Sequence, residues 1–126
     1  MKIYSISVMV ISSIVIAIVS LCFMIDLVKY YSPEVAVNGN DYKKTVSQEY
    51  FKQQEMKNSI DSKYGPDLTK LTAEDWKARW EMFKTVTLLE EKHDAKVDMV
   101  EEFATLFVFS AFFIGHYFLY RRSENK

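Results

Sequence analysis

Residues 3–25 read IYSISVMVISSIVIAIVSLCFMI, and residues 103–120 read FATLFVFSAFFIGHYFLY. The first run is 23 residues without a charge and the second is 18. A bilayer core of ~30 Å takes about 20 residues of apolar helix at ~1.5 Å each. Both runs are therefore expected to span a membrane, which makes the 126-residue chain a small two-pass, all-α membrane protein.

The two runs leave 77 residues, 26–102, between them. That length suits one small helical unit and is too short for a large enzyme core. With 3 Gly and 2 Pro in the whole chain, a turn-rich β fold is disfavoured. Charge is unevenly placed. The middle carries a net −4 and the two termini +3, and the middle has no basic block. Nucleic acid is not an expected partner.

Flanking charges set the expected orientation. Lys2 precedes the first run, and Arg121 and Arg122 follow the second, whereas Asp26, Glu101 and Glu102 abut the inner ends. The positive-inside tendency places both termini in the cytoplasm and the middle outside it. Tyr4, Tyr30, Tyr31, Tyr117 and Tyr120 lie near the run ends, where interfacial aromatics gather. A cleaved signal peptide is the rival reading of the first run. The run is longer than the ~7–15 residues of a signal core, and no small-x-small site follows it. Val19-Ser20-Leu21-Cys22 departs from a lipoprotein signal at the bulky Leu21. Cys22 is the only cysteine, so no intrachain disulfide exists.

Three breaks divide the middle. Pro33 ends any helix arriving from the first run, Asn38-Gly39-Asn40 is a turn or cap signal, and Gly65-Pro66-Asp67 is a second turn. Between them, residues 41–63 carry Tyr42, Val46, Tyr50, Gln53, Met56 and Ile60 at helical spacing. Thr72-Ala73-Glu74-Asp75 resembles a capping box with Asp in the fourth place. No Gly or Pro interrupts residues 68–114, so a helix starting there is predicted to run on into the second span. Its row is Trp76, Trp80, Phe83, Val86, Leu89, His93, Val97 and Val100.

The expected architecture follows in segments. Residues 1–31 form the first span with a short extension. Residues 32–102 form an extracytoplasmic antiparallel hairpin with arms 41–63 and 73–102. Residues 103–120 form the second span, and 121–126 a cytoplasmic tail. Matching the arm lengths pairs Trp76 with Ile60, Trp80 with Met56 and Val86 with Tyr50. Trp76, Trp80 and Phe83 are the expected partner-binding residues, because Trp is enriched at binding hot spots. Within the membrane, small residues let helices approach closely. Ser13, Ala17 and Ser20 on one span, with Ala104, Ala111 and Gly115 on the other, are the expected packing positions.

Chemistry is sparse. Glu90 and His93 form a single Glu-x-x-His, whereas di-iron bundles need two such motifs and two further Glu. His116 lies within an uncharged span, where an ionisable group is costly. Haem at His116 would need a second axial ligand from another chain, and snorkelling to the nearby headgroups is the simpler account. No Ser/His/Asp set, Walker loop, G-x-G-x-x-G or C-x-x-C is present. The chain is therefore expected to be non-enzymatic and without a cofactor. The expectation is an accessory or assembly subunit in a bacterial inner membrane, bound to the lipid bilayer and to other membrane or periplasmic proteins, or to itself as a homo-oligomer. An oligomeric channel or transport-related subunit, and a redox subunit using His116, are the alternatives.

Overall fold

The computed structural model describes residues 2–61 and 67–126. Among these residues every regular element is helical: α1 (Lys2–Tyr31), α2 (Gly39–Val46), α3 (Gln48–Asp61) and α4 (Ala73–Glu124), with 3₁₀ turns at Pro33–Val35 and Leu68–Lys70. Two of them, α1 and α4, are long and apolar enough to cross a membrane. Almost none of either apolar stretch is buried within the chain.

The helix boundaries follow from local chemistry. α1 stops at Tyr31, and Pro33 opens the 3₁₀ turn, where its missing N–H costs nothing. Asn38 caps α2: its side-chain oxygen accepts from the Asp41 N–H at 3.0 Å, and its amide donates to the Asp41 carboxylate at 2.7 Å. Thr72 and Asp75 cap α4 reciprocally. The Asp75 N–H donates to Thr72 Oγ1 at 3.2 Å, and the Thr72 N–H donates to Asp75 Oδ2 at 3.1 Å. Aspartate thus serves where Glu or Gln is usual. α4 then runs 52 residues without a break. Gly65 and Pro66, and the last residues of the expected first arm, lie outside the described residues.

That first arm is two helices rather than one. Ser47 adopts an extended conformation (φ −133°, ψ 110°) and ends α2. It also begins α3, with Ser47 Oγ accepting from the Tyr50 N–H at 3.2 Å. The local gain of a serine cap outweighs one uninterrupted backbone ladder here.

The chain divides into two compact units, residues 1–31 with 94–126 and residues 32–93. In the first, α1 and the C-terminal part of α4 lie side by side with opposite chain direction. Tyr4 meets His116 edge-on at 5.5 Å, and Asp26 shares a cavity with Glu102. The less exposed residues of α1 include Ser5, Met9, Ser12, Ile16, Val19, Phe23, Asp26 and Tyr30. Those of α4 include Ala95, Met99, Glu102, Leu106, Phe109, Phe113, His116, Tyr120 and Ser123. These two rows advance by alternating steps of three and four, as the seam of a two-helix coil does. Ser5 and Ser12 of α1 and Ala95 of α4 are small residues buried at that seam, Ser12 and Ala95 each 2 % exposed.

In the second unit, Phe51 and Trp76 are each 3 % exposed and pack with Leu68. Met56, Leu71, Trp80 and Phe83 surround them. Phe51 lies 5.1 Å from the Phe83 ring and 6.4 Å from Trp76. The expected pairing of Trp76 with Ile60 does not occur, because Ile60 is 83 % exposed. Trp80 reaches the backbone of Lys44, donating from Nε1 to its carbonyl at 2.7 Å, although Met56 also borders the cluster. The cause is Ser47. A helix restarted there takes a new phase, which turns Phe51 inward.

Candidate functional site

The aromatic residues expected to bind a partner are mostly spent on the core of the second unit. Trp76 is enclosed by Phe51 and Leu68, so its indole is not a free anchor in this structure. Lys52 stands over its ring at 5.5 Å. Trp80 and Phe83 are half-buried. The Trp80 face carries the Lys84 ammonium at 3.7 Å, and the Phe83 face carries Lys44 at 5.6 Å. These lysines shield ring faces with their cationic heads. Arg79 ties α4 to Glu55 of α3 at 3.5 Å. What this cluster leaves open is a groove lined by Phe51, Glu55, Arg79, Met82, Phe83 and Val86.

The small residues of the first unit are placed differently from the sequence expectation. Ser13 and Ala17 are exposed, and Ser20 is half-buried. The Ser13 hydroxyl donates back to the Met9 carbonyl at 2.9 Å, which satisfies it without a second helix. The seam uses Ser5 and Ser12, one residue out of phase with Ser13. Ala104, Ala111 and Gly115 are likewise exposed. Ala111 and Gly115 form the floor of an open apolar groove between Phe107, Val108, Phe112, His116 and Leu119. A Cβ at Gly115 would meet nothing within 4 Å.

His116 is half-buried at the seam, with the Tyr4 ring edge against it. Its Nδ1 is enclosed and has no hydrogen-bond partner. Glu90 and His93 are both exposed. Among the described residues no group of three or more His, Cys, Asp or Glu side chains converges as a metal site would require.

The sequence reading missed a carboxylate cluster: it treated Asp26, Glu101 and Glu102 only as orientation signals and did not single out Asp98. Asp26 is buried, and the Lys29 ammonium lies 3.0 Å from its Oδ1. Both line a cavity with Cys22, Ile25, Asp98, Glu101 and Glu102. Glu102 Oε2 is enclosed there, beside the Asp26 carboxylate. Burial, reinforced by the Asp26 and Asp98 carboxylates, raises the Glu102 carboxyl to about 7, and Lys29 opposes this only in part. The legible signal was that Asp26 and Glu102 are the first charged residues beyond matched ends of the two apolar runs. Antiparallel packing then brings them together.

No family model, curated protein or solved structure matches this chain.

Proposed function

We propose that the chain is a two-pass integral membrane protein that acts through protein–protein contacts, as an accessory or assembly subunit of a membrane complex. The observation that carries this reading is the pair of long apolar helices whose apolar lengths find no cover within the chain. Lipid covers such surfaces, whereas in water they would aggregate. Flanking charges favour both termini in the cytoplasm of a bacterial cell, with residues 32–102 projecting from the outer face of the inner membrane. In this reading α2, α3 and the first part of α4 form an extracytoplasmic antiparallel hairpin. The contacts Phe51–Phe83 and Glu55–Arg79 support it, since they run in opposite senses along the two helices. A hairpin of this size buries little surface, which favours a binding role over a catalytic one. The test joins a topology reporter to the C-terminus and identifies proteins that co-purify in mild detergent. A cytoplasmically active reporter and a stoichiometric protein partner, or a stable oligomer, are expected. A periplasmic C-terminus overturns the topology, and a chain that stays monomeric and alone overturns the binding role.

A further inference from the structure

The function proposed above makes no use of a cavity at one end of the first unit. The Tyr4 and His116 rings meet at that end. Beside them an open cavity of about 280 Å³ is lined by Ser5 of α1 and by Leu119, Arg122, Ser123 and Lys126 of α4.

Both charged side chains that line it, Arg122 and Lys126, are positive. Among the described residues neither makes an ion pair. Glu124 is the only acidic side chain from residue 103 onward. Its carboxylate accepts from the Tyr120 hydroxyl at 2.8 Å. At about 100° per residue it lies roughly 160° round the helix from Arg122, so it does not neutralise the cavity. The C-terminal end of α4 contributes about half a negative charge, which two full cations exceed. Ser5 stands in the opening turn of α1, whose dipole end is positive.

Ser5 also brings a fixed donor. It is 3 % exposed and makes no side-chain hydrogen bond among the described residues. The hydroxyls of Ser7 and Ser13, on the same helix, each donate to a carbonyl one turn earlier. The Ser123 hydroxyl is likewise spent on the Tyr120 carbonyl at 2.9 Å. A buried hydroxyl without a partner is costly, and an acceptor in the cavity removes that cost.

A guanidinium, an ammonium and a hydroxyl around one opening suit a phosphate group, to which Arg donates through two parallel N–H bonds. Position identifies the source of the phosphate. The cavity lies where the uncharged runs end, at headgroup depth, and Leu119 extends the apolar surface along which an acyl chain lies. Anionic phospholipids make the cytoplasmic leaflet negative, and basic pockets at that depth hold their headgroups.

We propose that this cavity binds the headgroup phosphate of an anionic phospholipid through Arg122, Lys126 and the Ser5 hydroxyl. The site rests on the membrane reading above. The experiment purifies the full-length chain in mild detergent and follows, by native mass spectrometry, its retention of added phosphatidylglycerol against phosphatidylcholine. One retained phosphatidylglycerol per chain is expected. Arg122→Gln and Ser5→Ala should each weaken retention at least about fivefold, with helicity unchanged. Arg121→Gln removes the same charge outside the cavity lining and should change retention less than about twofold, because charges exposed to solvent are screened. Equal loss at Arg121→Gln, unchanged retention in Arg122→Gln, or no preference for phosphatidylglycerol overturns the site. Inorganic phosphate that binds and is not displaced by phosphatidylglycerol overturns the lipid as its source. A chain that fails to insert into vesicles overturns the membrane reading instead.

Discussion

Asp26 and Glu102 line one small cavity at the edge of the apolar helices, with the Lys29 ammonium 3.0 Å from Asp26. Two carboxylates against one close ammonium leave a negative charge in excess, and Asp98 and Glu101 add to it. Glu102 responds by holding its proton to about pH 7. Its folded value lies above the ordinary 4.5. The protonated form is therefore the one that folding favours. That contribution is complete below about pH 4.5 and is lost as pH rises through about 7. Thermal unfolding in micelles should show a midpoint that falls between pH 5 and pH 8. Glu102→Gln should flatten this slope, because a neutral amide cannot ionise. An unchanged slope in the variant would assign the pH dependence elsewhere.

Phe51 should be the most sensitive residue of the second unit. It is 3 % exposed and touches both Trp76 and Phe83. Phe51→Ala is expected to cost about 3–5 kcal/mol, the range for truncating a buried Phe. Ile60→Ala, at an exposed position, should stay within about 0.5 kcal/mol. Urea unfolding followed by the fluorescence of the two tryptophans distinguishes these outcomes. A larger loss at Ile60 would restore the register expected from the arm lengths.

The Trp80–Lys44 hydrogen bond joins α4 to α2 across 36 positions of sequence. Trp80→Phe keeps most of the ring and removes the donor. The Lys44 carbonyl then loses its indole partner, at a cost of about 1 kcal/mol. The expected signature is faster amide exchange across α2, with α4 unaffected. Uniform exchange across the chain would argue that the bond is incidental.

Thr72→Ala removes the hydroxyl half of the α4 capping box and should destabilise the second unit by about 1 kcal/mol. Asp75→Glu restores the usual box residue and should leave stability unchanged or slightly improved. Helicity melts of the two variants check both statements.

Ser12 and Ser13 are adjacent and should respond in opposite ways. Ser12→Leu forces a large side chain into a seam where the serine is 2 % exposed, and overpacking of this kind costs about 1–3 kcal/mol. Ser13→Leu points away from the seam and should be tolerated. Protease resistance in micelles provides the comparison, and equal sensitivity of the two variants would count against the seam.

Much of the outline was legible because it rests on energies local to the chain. An uncharged run of bilayer length, a proline that cannot continue a helix, an Asn-Gly cap and a Thr-x-x-Asp box each act within a few residues. From these alone follow the two long apolar helices, the stop after Tyr31, the start at Ala73 and the unbroken α4. Which face each helix turns inward was not legible in the same way. The cap at Ser47 is worth only about 1 kcal/mol, yet it resets the helical phase and replaces Tyr50 with Phe51 at the core. Ser12 and Ser13 have identical side chains, and only the approach of the second helix distinguishes them. Asp26 and Glu102 are 76 residues apart, and their mutual effect exists only once antiparallel packing has brought them together, Asp26 buried and Glu102 half-buried. Local chemistry determines where helices begin and end; burial against a neighbour, which falls steeply with a rotation of one residue, decides what each of them presents.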